Sequence, residues 1–105
     1  MPINMVTTLS YANAIRTRNL TVGPSGQKID FSFLSDDEEI VSITIIPAKP
    51  DSIEFSGKDG DDWVNIGAGI TLDIDFELRY TQYIPKLRST TGGTEQVSLI
   101  ITIRA

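Results

Sequence analysis

Gly67-Ala68-Gly69-Ile70-Thr71-Leu72-Asp73-Ile74-Asp75-Phe76-Glu77-Leu78-Arg79-Tyr80 is the stretch that decides the fold class. Ile70, Leu72, Ile74, Phe76, Leu78 and Tyr80 alternate with Thr71, Asp73, Asp75, Glu77 and Arg79. Successive side chains on a strand point to opposite faces, so this order sorts them into one apolar and one polar surface. On a helix the same residues would scatter apolar groups around the whole circumference. The period of two predicts a half-buried β-strand, and the rest of the chain must cover its apolar face.

The neighbouring segments repeat that rhythm. Gln96 to Arg104 places Val97, Leu99, Ile101 and Ile103 on one face, with Ile100 as the only apolar residue of the other. Ser52 to Ser56 turns Ile53 and Phe55 inward, and Trp63 to Ile66 reads as a short strand beyond the Gly57 to Asp62 turn. Ile40 to Ile46 is apolar on both faces, as a central, well-covered strand is. Pro47 and Pro50 end it, because proline donates no ladder hydrogen bond. Leu20 to Val22, the Gly23-Pro24-Ser25-Gly26 turn and Lys28 to Leu34 suggest a hairpin, with Ile29, Phe31 and Phe33 on one face. Tyr80 to Ser89, broken by Pro85, continues the opening strand or forms a connection, and Met5 to Leu9 is rich in β-formers. Residues 1–18 fit an extended arm or an edge strand. Seven or eight strands with no convincing helix predict an all-β single domain, an antiparallel β-sandwich of Ig-like or jelly-roll-like type, with a small closed barrel as the alternative.

Composition narrows the chemistry. At 105 residues the chain supports one core. It contains no cysteine and no histidine, which removes the thiolate nucleophile, cysteine-type metal sites and the commonest general base. A net charge of −5 disfavours a grip on nucleic acid, which needs clustered cations. No apolar run is long enough to span a bilayer, and Met-Pro-Ile-Asn-Met-Val has no cationic segment before an apolar core, so neither membrane insertion nor a signal peptide is expected. The expectation is a protein without enzymatic activity.

Three constellations invite a functional reading, and each has a plainer one. Asp73, Asp75 and Glu77 share a strand face at glycosidase-like spacing, yet alternating acids beside Arg79 also describe a solvated sheet. The acidic loops Asp36 to Glu39 and Asp59 to Asp62 offer oxygen ligands for calcium, although the EF-hand spacing fails at Trp63 and turn chemistry explains both. No cofactor is expected. Trp63, Tyr80 and Tyr83 are the candidate ligand or partner contacts, an aromatic platform for a glycan or a protein, while core packing is the commoner use of a tryptophan.

Ile53-Glu54-Phe55-Ser56-Gly57-Lys58-Asp59-Gly60-Asp61-Asp62-Trp63-Val64-Asn65-Ile66-Gly67-Ala68-Gly69-Ile70-Thr71-Leu72-Asp73-Ile74, followed by Leu87-Arg88-Ser89-Thr90-Thr91-Gly92-Gly93-Thr94-Glu95-Gln96-Val97, resembles small β-sandwich domains of tailed-bacteriophage virion proteins. The shared pattern is a strand, a Gly/Asp turn, a Trp a few residues before Ala-Gly, another strand, and a Ser-Thr-Gly-Gly-like turn before the last strand. It covers about half the chain, and Met1 to Leu34 lies outside it. The resemblance implies a structural virion subunit of decoration, head-fibre or tail-associated type, with capsid or tail proteins or further copies of itself as partners and no catalytic residues. A cytoplasmic protein and a carbohydrate-binding module are the alternatives.

Overall fold

The computed structural model describes residues 13–35, 37–56, 62–73 and 85–104, with backbone only at Asn13. Eight strands follow in order: β1 (Asn13–Val22), β2 (Gln27–Lys28), β3 (Glu39–Pro47), β4 (Ile53–Ser56), β5 (Val64–Asn65), β6 (Ile70–Asp73), β7 (Lys86–Ser89) and β8 (Glu95–Arg104). No helix occurs among the described residues. The strands form two four-stranded antiparallel sheets, β1-β8-β3-β6 and β2-β7-β4-β5. Within them the pairs β1·β8, β2·β7, β3·β6 and β4·β5 are nested, so the chain is one antiparallel ribbon wrapped with alternate pairs in opposite sheets.

One core lies between the sheets. The expected alternation in β8 is met: Val97, Leu99, Ile101 and Ile103 are all 1% exposed or less. They meet Ile43 and Ile45 of β3, Ile53 of β4 and Leu87 of β7. Ile70 and Leu72 of β6 pack on the same core from its side, as the opening stretch predicts, and Phe55 does so from β4. The continuation Ile74 to Tyr80 lies outside the described residues, as do Met5 to Leu9, Gly57 to Asp61 and the segment up to Ile84.

The hairpin expected from Leu20 to Leu34 does not form. β1 pairs with β8 and β2 pairs with β7, so the Gly23 to Gly26 turn carries the chain from one sheet to the other. Beyond Lys28 the segment is not a strand. Asp30 accepts a hydrogen bond from the Ser32 backbone N–H (2.9 Å), and Leu34 N–H donates to the Phe31 carbonyl (3.0 Å). These local bonds compete with a ladder and curl the backbone. Ile29, Phe31 and Leu34 are nonetheless buried, plugging the core from a loop.

The loop also closes the open edge of the first sheet. β1 is that sheet's edge strand, in keeping with the edge-strand reading for Asn13 to Arg18. Arg16 and Arg18 stand opposite the buried Ile101 and Leu99, on the core-facing side. Each finds a partner in the loop: Arg16 Nη2 lies 2.5 Å from Glu38 Oε2, and the Arg18 guanidinium sits 4.9 Å from the Phe33 ring centroid. Inward-pointing charges on an edge strand obstruct uncontrolled sheet extension.

Candidate contact face

The outward side of the first sheet is built from alternate residues of four strands. Thr17, Ile100, Thr44 and Thr71 form one row across β1, β8, β3 and β6. Ile15, Thr102, Ser42 and Asp73 form the next, while Asn19, Ser98 and Ile46 lie on the other side, followed by Thr21 and Gln96. Charge is confined to one end, where Arg104 and Glu39 pair at 3.4 Å and Asp73 occupies the corner. The chain carries nine Lys and Arg and fourteen Asp and Glu, yet among the described residues the rest of this face holds none of them.

Six of its polar side chains pair with one another. Thr44 and Thr71 hydroxyls lie 2.9 Å apart, Gln96 Nε2 donates to Thr21 Oγ1 at 3.0 Å, and Ser98 Oγ donates to Asn19 Oδ1 at 3.0 Å. A polar group already paired within its own surface costs less to remove from water than a bare one. Between these pairs stand Ile15, Ile46 and Ile100, exposed by 58%, 40% and 36%. Depletion of charge around exposed apolar side chains is the composition found at the centre of protein interfaces.

The register also corrects the reading of Ile40 to Ile46. β3 is central in its sheet, but only Ile40, Ile43 and Ile45 are in the core, and Ile46 faces outward. A register shift between Ile40 and Ser42 changes which residues point inward along the strand. The contact face went unrecognised in the sequence because no single residue marks it. Its signal is the absence of charge from every second position of three segments that become neighbours only in the fold.

The outer side of the second sheet has a different character. Lys28 stands opposite Lys86, and Glu54 opposite Arg88, whose Nε donates to Glu54 Oε1 at 2.7 Å. Trp63 lies here, outside the core, with its ring 4.3 Å from the Arg88 guanidinium. The preference for core packing of Trp63 is therefore not met. Its ring reaches Gly26, where an added Cβ would sit 3.1 Å from the indole edge at a backbone φ of +90°, so the flat platform depends on glycine there. Tyr80 and Tyr83 lie outside the described residues.

The acidic constellations are similarly divided. Asp73 is exposed at the sheet corner, while Asp75 and Glu77 lie outside the described residues. Of the first acidic loop, Glu38 and Glu39 are engaged by Arg16 and Arg104, and of the second only Asp62 is described. Among the described residues no three Asp or Glu side chains come together as a metal site. Glu38 titrates below the usual carboxylate range, held there first by the Ser35 backbone N–H (2.9 Å) and then by the Ser35 side chain and Arg16, against the opposing effect of its burial. Asp30 is lowered mainly by Ser32. Both carboxylates serve the loop that seals the core.

At the opposite end the loops are joined to one another. Asp51, at a φ of 64°, donates its N–H to the Gly67 carbonyl (3.0 Å) and accepts from Asn65 Nδ2 (3.2 Å) and Thr90 Oγ1 (2.9 Å). Three connections are thus pinned at one backbone position. Among the described residues no helix is long and apolar enough to cross a membrane. No protein family, curated protein or solved structure shows a significant match to the chain.

Proposed function

We propose that this domain is a non-catalytic structural subunit of a virion, of the tailed-bacteriophage decoration or head/tail-associated kind, and that it works through protein contacts on the outer face of the first sheet. The observation that carries this reading is that face: uncharged over most of its extent, internally hydrogen-bonded and studded with Ile15, Ile46 and Ile100. A sheet surface kept only for solubility carries lysine and glutamate; one kept for contact sheds them. The nested strand order supports the jelly-roll form of the sandwich, an architecture that recurs in viral capsid and lectin domains. Fold alone assigns no role, so the face and the resemblance of the Ser52 to Val97 region carry the weight.

Density-gradient fractionation of particles from the source culture tests the reading. The chain is expected in the particle fraction by mass spectrometry, and Ile100→Asp is expected to remain in the unassembled pool. A chain confined to that pool contradicts it.

Carbohydrate binding is the second reading, favoured by the position of Trp63 on the outer side of the second sheet. Indole rings at a surface stack on sugars as they do on guanidinium groups. A glycan array probed with wild type and Trp63→Ala decides it: binding lost with the ring supports the module, and no binding by either protein removes it.

A further inference from the structure

We propose that the outer face of the first sheet is a homodimer interface, in which two copies stack face to face about a twofold axis. In this arrangement Ile100 meets its counterpart, and Ile15 of one copy packs on Ile46 of the other. The inference rests on the contact-face reading above and names the occupant of that face.

Self-complementarity is the first reason. Ile15 lies opposite Thr102 and Ile46 opposite Ser98, the residues two places to either side of Ile100 on β8. The three isoleucines therefore form a diagonal stripe over β1, β8 and β3 with Ile100 at its centre. Turning one copy over about an axis through Ile100, perpendicular to the stripe, lays one stripe on the other, as an isologous interface requires. Stacked sheets tolerate this geometry, with side chains from the two faces interleaving.

Charge is the second. Each copy carries a net charge of −5, so two copies repel wherever carboxylates would meet. Along the isoleucine stripe this face carries no carboxylate, its acidic groups Glu39 and Asp73 standing together at one end. A cationic partner would gain little from a stripe without carboxylates, whereas a second uncharged stripe of the same composition suits it.

Size is the third. Strands of 10, 10, 9 and 4 residues, at about 3.3 Å per residue and about 4.8 Å apart, give a flat footprint of roughly 500 Å². Specific pairs begin near 600 Å² of accessible surface per partner, and side-chain relief raises accessible surface above footprint. The dimer is expected to be reversible and concentration-dependent.

Light scattering over a dilution series of wild type, Ile100→Asp and Val64→Asp tests the proposal. Val64 is 61% exposed on β5, away from the face, and serves as the control. Wild type and Val64→Asp should double in mass with concentration, while Ile100→Asp should associate at least about tenfold more weakly, two aspartates then facing each other across the axis. The chain lacks cysteine, so single introduced thiols report geometry cleanly. Stacked sheets lie about 10 Å apart, beyond the ~4.4–6.8 Å Cα separation a disulfide spans, and a short bismaleimide is the suitable linker. Ile100→Cys should crosslink to itself, and Ile15→Cys should crosslink to Ile46→Cys but not to itself. A wild type that stays monomeric at every concentration, or an Ile100→Asp variant that dimerises like wild type, overturns the proposal. If that monomer still joins particles through Ile100, the dimer alone fails and the contact-face reading stands.

Discussion

Arg16 and Glu38 join an edge strand to the loop that plugs the core: the Nη2 to Oε2 distance is 2.5 Å, with Arg16 on the core-facing side of β1 and Glu38 in the turn that closes on Ser35. The Ser35 N–H donates to the Glu38 carboxylate while the Glu38 N–H donates to the Ser35 carbonyl at 3.1 Å. Glu38 thus serves the turn and the strand together, and Leu34 lies buried just before that turn.

This arrangement predicts a pH dependence. Because the folded state lowers the Glu38 pKa, the stabilisation is present above the ordinary carboxylate value of about 4.3 and is lost as pH falls through the lower folded value. Glu38→Gln should therefore melt below wild type at neutral pH, and the gap should close in acid below about pH 4. Thermal melts of both proteins across pH 3 to 7 check it. A gap of constant size would mean that the carboxylate charge is not what matters.

Neighbouring isoleucines on β3 should behave oppositely. Ile45 is fully buried and Ile46 faces out, so Ile45→Ala is expected to cost about 2–5 kcal/mol and Ile46→Ala less than about 1 kcal/mol. Urea denaturation of the two variants measures the difference. Equal losses would contradict the register of β3 against β8.

Gly69 is expected to resist replacement. A Cβ there would lie 2.8 Å from the Ile45 carbonyl oxygen at a φ of +144°, where β6 joins β3. Gly69→Ala should cost about 1–3 kcal/mol from backbone strain and displacement of the β6 entry. Gly93→Ala, with open space around its Cβ position, serves as the comparison and should change little by the same denaturation measurement.

Trp63 is the only tryptophan, so its fluorescence reports its surroundings directly. Removing the guanidinium with Arg88→Ala exposes a ring face and should increase acrylamide quenching and shift emission to the red, with about 0.5–1 kcal/mol lost from the cation–π contact. Unchanged quenching would place the ring elsewhere.

The strands most legible in the sequence were those whose burial is one-sided and whose alternation is uninterrupted. β8 and the start of β6 lie where the period of two puts them, and Ile53 is inward as read. Partner choice was not legible. The glycines and proline of Gly23 to Gly26 say that the chain turns, but whether it returns to its own sheet depends on residues some 70 positions away, in β8. Ile29, Phe31 and Leu34 show the same limit, since burial from a loop and burial from a strand leave similar apolar spacing. Trp63 was ambiguous because its face depends on register, and Ile46 because a one-residue irregularity reverses inside and outside.

The most direct measurement is thiol labelling at Ile100→Cys, in dilute protein and in the assembled state, with Val64→Cys as reference. The uncharged face predicts that the Ile100→Cys thiol reacts readily in dilute protein and is protected on assembly, while the Val64→Cys thiol reacts in both. Equal reactivity at Ile100→Cys in the two states would contradict a contact role for the face.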